Sequence, residues 1–204
     1  MCCTGRMLSH RWDGVSNILE KSMSFDRGEK KCIFARNDIS IIKLLKTVSL
    51  IGEKRLYGLT PVPWAIGHGF CSFKKSIFDF VGCFDTTLGV GTDALGGEEI
   101  DMFYRILKND YVIIYEPKSM IYHNHRQTLE GALKAAYYAG ASTRSFTKKY
   151  YHSDLYLLLC LCGDIILVTF AFIKATITND SLLKDMIGQE FKGLFRRVSH
   201  GEPP

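Results

Sequence analysis

The chain has 204 residues, 47% of them hydrophobic and 23% charged, with a formal net charge of +5. That length holds one compact domain with appended helices, and the composition excludes global disorder. The charge excess is too mild to indicate nucleic acid, and the sequence has no basic run with interleaved aromatics, no zinc-finger spacing and no Gly-rich RNA motif.

Seven cysteines, an odd number, are scattered from Cys2 to Cys162, and Cys160-x-Cys162 lacks the spacing of a redox or zinc pair. Free thiols in a reducing compartment are expected. Met1 is not followed by a charged region and an apolar core, and position 2 is not glycine. Neither a secretory signal nor myristoylation is read, and the cytosolic side is the expected location.

Residues 1 to about 37 are polar and weakly periodic, with a short helix expected over Val15 to Met23 and a turn over Asp26 to Lys30. Ile41, Leu44, Leu45 and Val48 have helical spacing, and Gly52 is a natural stop. Pro61 and Pro63 make Leu59 to Trp64 an extended loop. A short apolar unit, Ile66 to Phe73, precedes a short helix from Lys75 that ends at Gly82, and a Gly- and Thr-rich loop spans Leu88 to Gly97. A helix is expected from Glu98 or Glu99 to Asn109. Two strands follow, Tyr111 to Tyr115, stopped by Pro117, and Met120 to Tyr122. A long helix with a small-residue face (Ala132, Ala135, Ala136, Ala139) spans Leu129 to Tyr151. Leu155 to Ile173 is almost continuously apolar, and Ser181 to Val198 is amphipathic and basic.

The chemistry concentrates between Gly67 and Arg126. An acidic side chain in the first turn of a helix is held by fixed backbone donors, and Glu98 and Glu99 can cap the helix or be presented to a substrate as general base. Nearby glycines let a polyhydroxylated substrate approach the backbone. The ordered run Gly67-His68-Gly69-Phe70-Cys71-Ser72, Val81-Gly82-Cys83-Phe84-Asp85, Leu88-Gly89-Val90-Gly91-Thr92 and Gly96-Gly97-Glu98-Glu99-Ile100-Asp101-Met102, continuing through Tyr115-Glu116-Pro117 to His123-Asn124-His125-Arg126, resembles family-2 glycosyltransferases.

The resemblance implies a GT-A fold, an αβα architecture of the α/β class, and inverting sugar transfer from a nucleotide-sugar donor to a glycan or lipid-linked acceptor, as in polysaccharide biosynthesis. Glu99 then stands where the family has its catalytic Asp, one methylene longer, and Glu98 matches the preceding Glu. Asp101 matches a family acidic residue that orients the acceptor, or is a solvated helix residue. Gly67, Gly69, Trp64, Gly97 and Arg126 are the expected substrate-binding residues. His123 matches a strand-end His that ligates a divalent metal, Mn or Mg, on the donor diphosphate; a hydrogen-bonded pair with His125 is the alternative.

The nucleotide-binding βαβ unit and Asp-x-Asp motif of that family are not found, and Thr4-Gly5-Arg6-Met7 looks like sequence that follows the Asp-x-Asp strand. The expectation is therefore a partial GT-A fold lacking its N-terminal half, with a long unpaired sheet edge, and a separate N-terminal half as a partner. Residues 1–150 form the acceptor-side part, and residues 151–204 form a hydrophobic helix and a basic tail on the cytoplasmic side of a membrane. The alternative is a non-catalytic remnant acting as an acceptor-binding or membrane-associated interaction module. Asp164, inside the apolar run, counts against a simple membrane span.

Overall fold

A computed structural model of the chain describes residues 2–10, 26–39, 41, 66 and 70–196. The chain is mixed α/β, with a four-stranded mixed sheet and several helices. It divides into two compact units. One comprises Met1–Phe84 with Glu99–Arg126, the other Asp85–Glu98 with Gln127–Pro204. The helices expected over Val15 to Met23 and from Ile41 to Val48, and the loop from Leu59 to Trp64, lie outside the described residues, apart from Ile41 itself, which is helical.

The first unit is built on strands β1 (Cys2–Ser9), β2 (Cys32–Phe34), β3 (Cys71–Phe73) and β4 (Ile113–His123), in the order β2-β4-β1-β3. β1 runs parallel to β4 and antiparallel to β3, and β2 is antiparallel to β4. The N-terminal segment, expected to be irregular, is thus an inner strand. Its small and polar residues hide the strand signal, yet Cys2, Thr4, Met7 and Ser9 are buried. The edge strands have three residues each, which limits the paired edge that the sheet offers to other chains.

The two strands expected around Pro117 are one. β4 runs through the proline, and its register against β1 jumps from Gly5↔Glu116 to Arg6↔Met120. Proline has no N–H to give to a ladder, and the bulge carries it past without loss of a paired donor. Gly5 makes the bulge fit. A Cβ there would collide with the Ser119 carbonyl and the Phe70 ring, and the Gly5 N–H donates to the Phe70 carbonyl at 3.1 Å.

Helix α1 (Ile77–Val81) and helix α2 (Glu98–Lys108) match the expected elements. Ile100, Met102, Phe103, Ile106 and Leu107 of α2 are buried with Ile77, Ile113 and Tyr115. Phe103 stacks on Phe73, which in turn meets Phe84 edge-on at 5.6 Å. This aromatic packing fixes the rotation of α2 and hence the direction of its polar residues.

The second unit holds helices α3 (Leu129–Tyr150), α4 (Leu155–Ile177) and α5 (Ser181–Leu194). Each has a side-chain cap: Thr128 accepts from the Gly131 N–H, Asp154 from Tyr156 and Asp180 from Leu183. α3 belongs to this helical unit, so the compact units part at Arg126/Gln127. α5 stops at Leu194, short of the expected Val198.

α3 and α5 touch backbone to backbone. A Cβ on Gly140 would strike the Glu190 carbonyl and the Leu194 nitrogen, and one on Gly193 would strike the Tyr137 carbonyl and the Ala141 nitrogen. The small-residue face of α3 serves this crossing through buried Ala132, Ala136, Gly140 and Ala141.

All seven cysteines are free, as the spacing led us to expect. Burial pushes the Cys160 thiol up to about 12, which keeps it an inert core residue.

Gly193→Ala is expected to destabilise the helical unit by about 1–3 kcal/mol through overpacking. Gly188→Ala, whose Cβ meets nothing within 4 Å, should stabilise it by up to about 1 kcal/mol. Urea unfolding of the two variants checks both signs. Burial raises the Asp164 carboxyl from 3.8 to about 8, and Glu190 on α5 adds to the rise by charge repulsion. Below pH 3.8 both folded and unfolded forms are protonated, and the group costs nothing. From there to about 8 only the unfolded chain ionises, so stability falls as pH rises through that window. Asp164→Asn should therefore raise the thermal midpoint more at pH 8 than at pH 5.

Candidate active site

The loop that feeds α2 is closed by an isolated bridge between Gly89 and Gly96, with the Gly89 N–H donating to the Gly96 carbonyl at 3.3 Å. Inside it, Thr92 donates its hydroxyl to the Gly89 carbonyl at 2.8 Å and accepts from the Ala94 N–H at 3.1 Å. Leu95, Gly96 and Gly97 then carry φ values of 61°, 149° and 97°. Three successive residues with positive φ turn the chain sharply into the helix. Glycine takes up two of them without steric cost, while buried Leu95 holds a conformation that costs of order 1–3 kcal/mol.

Glu98 folds back over this loop. A Cβ on Gly89 would lie 3.5 Å from Glu98 Oε2. That oxygen is buried and has no hydrogen-bond partner among the described residues. An unsatisfied buried carboxylate oxygen is costly, and a donor group brought by a ligand would relieve the cost. Glu99, the next residue, is half-buried. Burial raises the Cys71 thiol to about 11, and the charge of Glu99 adds to the rise. Cys71 is thus a neutral neighbour of the Glu99 carboxylate and not a nucleophile.

Asp101 is neither solvated nor open to a ligand. It is fully buried, and its Oδ2 accepts from Arg105 Nε and Nη2, both at 2.8 Å. The same guanidinium donates to the carbonyls of Val81, Gly82 and Cys83, the last at 2.9 Å. The Asp101–Arg105 pair is therefore a clamp that joins α2 to the carbonyl end of α1. The i, i+4 spacing of Asp101 and Arg105 is the sequence signal for this pair, and nothing in the sequence shows that it is buried.

His123 ends β4, and its Nδ1 lies 3.2 Å from Nδ1 of His125. His125 is buried and His123 exposed. At that distance one imidazole donates and the other accepts, so the pair is a hydrogen bond in which at least one ring is neutral. Among the described residues no group of three or more His, Cys, Asp or Glu side chains is arranged to hold a metal ion. Two imidazoles do not make a site for Mg²⁺, which prefers oxygen ligands. The described residues therefore do not complete a metal site by themselves. Arg126 is exposed beyond His125, and Gly97 opens the turn into α2. Trp64, Gly67 and Gly69 lie outside the described residues.

Asp101→Asn is expected to lower stability by about 3 kcal/mol, because it strips the clamp of its charge and leaves a partly buried guanidinium unmatched. Glu98→Gln removes an unsatisfied charge, and its thermal midpoint should stay unchanged or rise. Calorimetry on the two variants separates the structural carboxylate from the unsatisfied one.

Comparison with known proteins finds no matching family model, no matching curated relative and no matching solved structure.

Proposed function

We propose that the chain is the acceptor-side part of an inverting glycosyltransferase of the family-2 type, with a GT-A arrangement, working on a glycan or lipid-linked acceptor at the cytoplasmic face of a membrane. The observation that carries this reading is the entry to α2: a glycine-lined loop, closed on itself, delivers Glu98 and Glu99 to the first turn, and the Glu98 carboxylate keeps a buried oxygen without a donor. A polyol acceptor is rich in the donors that such an oxygen lacks. The sequence likeness to family-2 enzymes over the same residues supports the same chemistry.

In this reading Glu99 takes the proton of one acceptor hydroxyl as that oxygen attacks the anomeric carbon of the donor sugar. The bond from that carbon to the diphosphate oxygen breaks, and the nucleoside diphosphate leaves with the electron pair. One backside displacement inverts the anomeric centre. Glu98 accepts a second acceptor hydroxyl and so orients the nucleophile. The proton transfer contributes typically about 10²–10⁴-fold to such a step. A divalent metal on the diphosphate would neutralise charge on the leaving group; its remaining ligands would have to come from the donor and from outside the described residues.

A non-catalytic reading is favoured by one observation. Asp101, an acidic residue expected to face the acceptor, is committed to Arg105. An acceptor-binding or membrane-associated module would keep the unsatisfied Glu98 oxygen and need no base.

A transfer assay with a panel of nucleotide-sugars, run on the chain alone and with an added N-terminal nucleotide-binding half, decides between them. Turnover that Glu99→Gln lowers by about 10²–10⁴-fold is the expected outcome. Full turnover by Glu99→Gln would remove Glu99 as the base. Absence of transfer in every arm, with glycan binding retained, would establish the non-catalytic module.

A further inference from the structure

α4 is unusual in which side it hides. Tyr156, Leu157, Cys160 and Ala175 are buried. Leu155, Leu158, Ile166, Phe170, Phe172, Ile173 and Ile177 are exposed, Phe170 by 64% and Ile177 by 79%. At 100° per residue all of these but Phe172, which flanks the ridge, fall within about 120° of arc, and they run the full length of a 23-residue helix, about 34 Å. The helix is long and apolar enough to cross a membrane, yet only 24% of its most apolar window is buried. Its one acidic residue, Asp164, lies on the other side, beside Glu190 of α5. The objection that a carboxylate interrupts the apolar run therefore does not apply to the exposed ridge.

Two features select lipid as the occupant. Exposed Lys148 precedes the helix, Lys174 lies near its end, and Lys184 and Lys192 lie on α5, the helix packed on α4. Such charges complement anionic headgroups. Just before α4, Tyr151 is exposed, its ring tilted against that of His152 with centroids 3.6 Å apart, and such an amphipathic aromatic is suited to the headgroup level. The connection to α5 then decides the orientation. The turn Thr178-Asn179-Asp180 is polar and exposed, and Lys184 and Asp185 are exposed one turn into α5. A spanning α4 would draw those two charges back into hydrocarbon, which is costly. A helix lying in the interface plane leaves them in water.

We propose that α4 docks in the plane of an anionic lipid surface, with the Leu155–Ile177 ridge in the acyl boundary and both helix ends on the same side. This rests on the membrane location given above and is independent of the sugar chemistry.

The test uses the full chain with sealed vesicles of phosphatidylcholine, with and without one quarter phosphatidylglycerol. The chain should float with the anionic vesicles, several-fold less with the neutral ones. Trypsin added outside should cut after Lys148, Lys174 and Lys184 at similar rates. Ile166→Glu/Phe170→Glu/Ile173→Glu, all at exposed positions, should keep the helical circular-dichroism signal and lose at least 10-fold in flotation. No flotation with either vesicle would overturn the membrane location itself. Flotation with Lys174 and Lys184 protected but Lys148 cut would overturn the in-plane orientation alone. Undiminished flotation of the triple variant would overturn the ridge, and so would a concentration-dependent dimer, lost in that variant, in a chain that ignores vesicles. None of these outcomes bears on the transfer assay, so failure of the one reading is distinguishable from failure of the other.

Discussion

The sheet depends on one missing side chain. β1 and β4 can lie parallel along eight residues of β1 only if the extra residues around Pro117 find room, and the room is at Gly5. Any side chain there meets the Ser119 carbonyl and the Phe70 ring, so the bulge, the pairing beyond it and the attachment of β3 would all have to shift. The β4 residues after the bulge, through His123, take their register from this point. The position of the histidine pair at the strand end is thus a consequence of a glycine more than a hundred residues earlier.

The carboxylates at the start of α2 are sorted by environment, not by sequence position. Asp101 is buried with a cation whose remaining donors cap the end of α1, and removal of either partner would leave the other charge in the core. Glu98 sits against a glycine loop with an oxygen that nothing satisfies. Near neighbours in the chain therefore sit in opposite environments, one carboxylate paired and the other with an oxygen left unsatisfied among the described residues.

The helical unit follows a different constraint. α3 and α5 meet at Gly140 and Gly193, where backbone touches backbone. α4 packs against α5 and, less extensively, against α3, and its other face carries large apolar side chains outward. Burial raises the carboxyls of both Asp164 and Glu190, and the charge of Glu190 adds to the cost at Asp164 within that packing. Such a cost is tolerable where the packing orients a helix for a purpose other than folding stability.

The sequence by itself determined the local features. Helical spacing and stop residues placed α2 between Glu98 and Asn109, and apolar length placed α4. The alanine face of α3 was visible in the spacing, and cysteine spacing implied free thiols. These depend on neighbours within a few residues. Only the tertiary structure decided that Cys2–Ser9 is an inner strand, because its small and polar side chains are buried by partners distant in the chain. It alone joined the two segments around Pro117 into β4 across a bulge. It also committed Asp101 to Arg105 and left a Glu98 oxygen unsatisfied among the described residues. Pairing, burial and satisfaction are properties of contacts between distant residues, and no local pattern carries them.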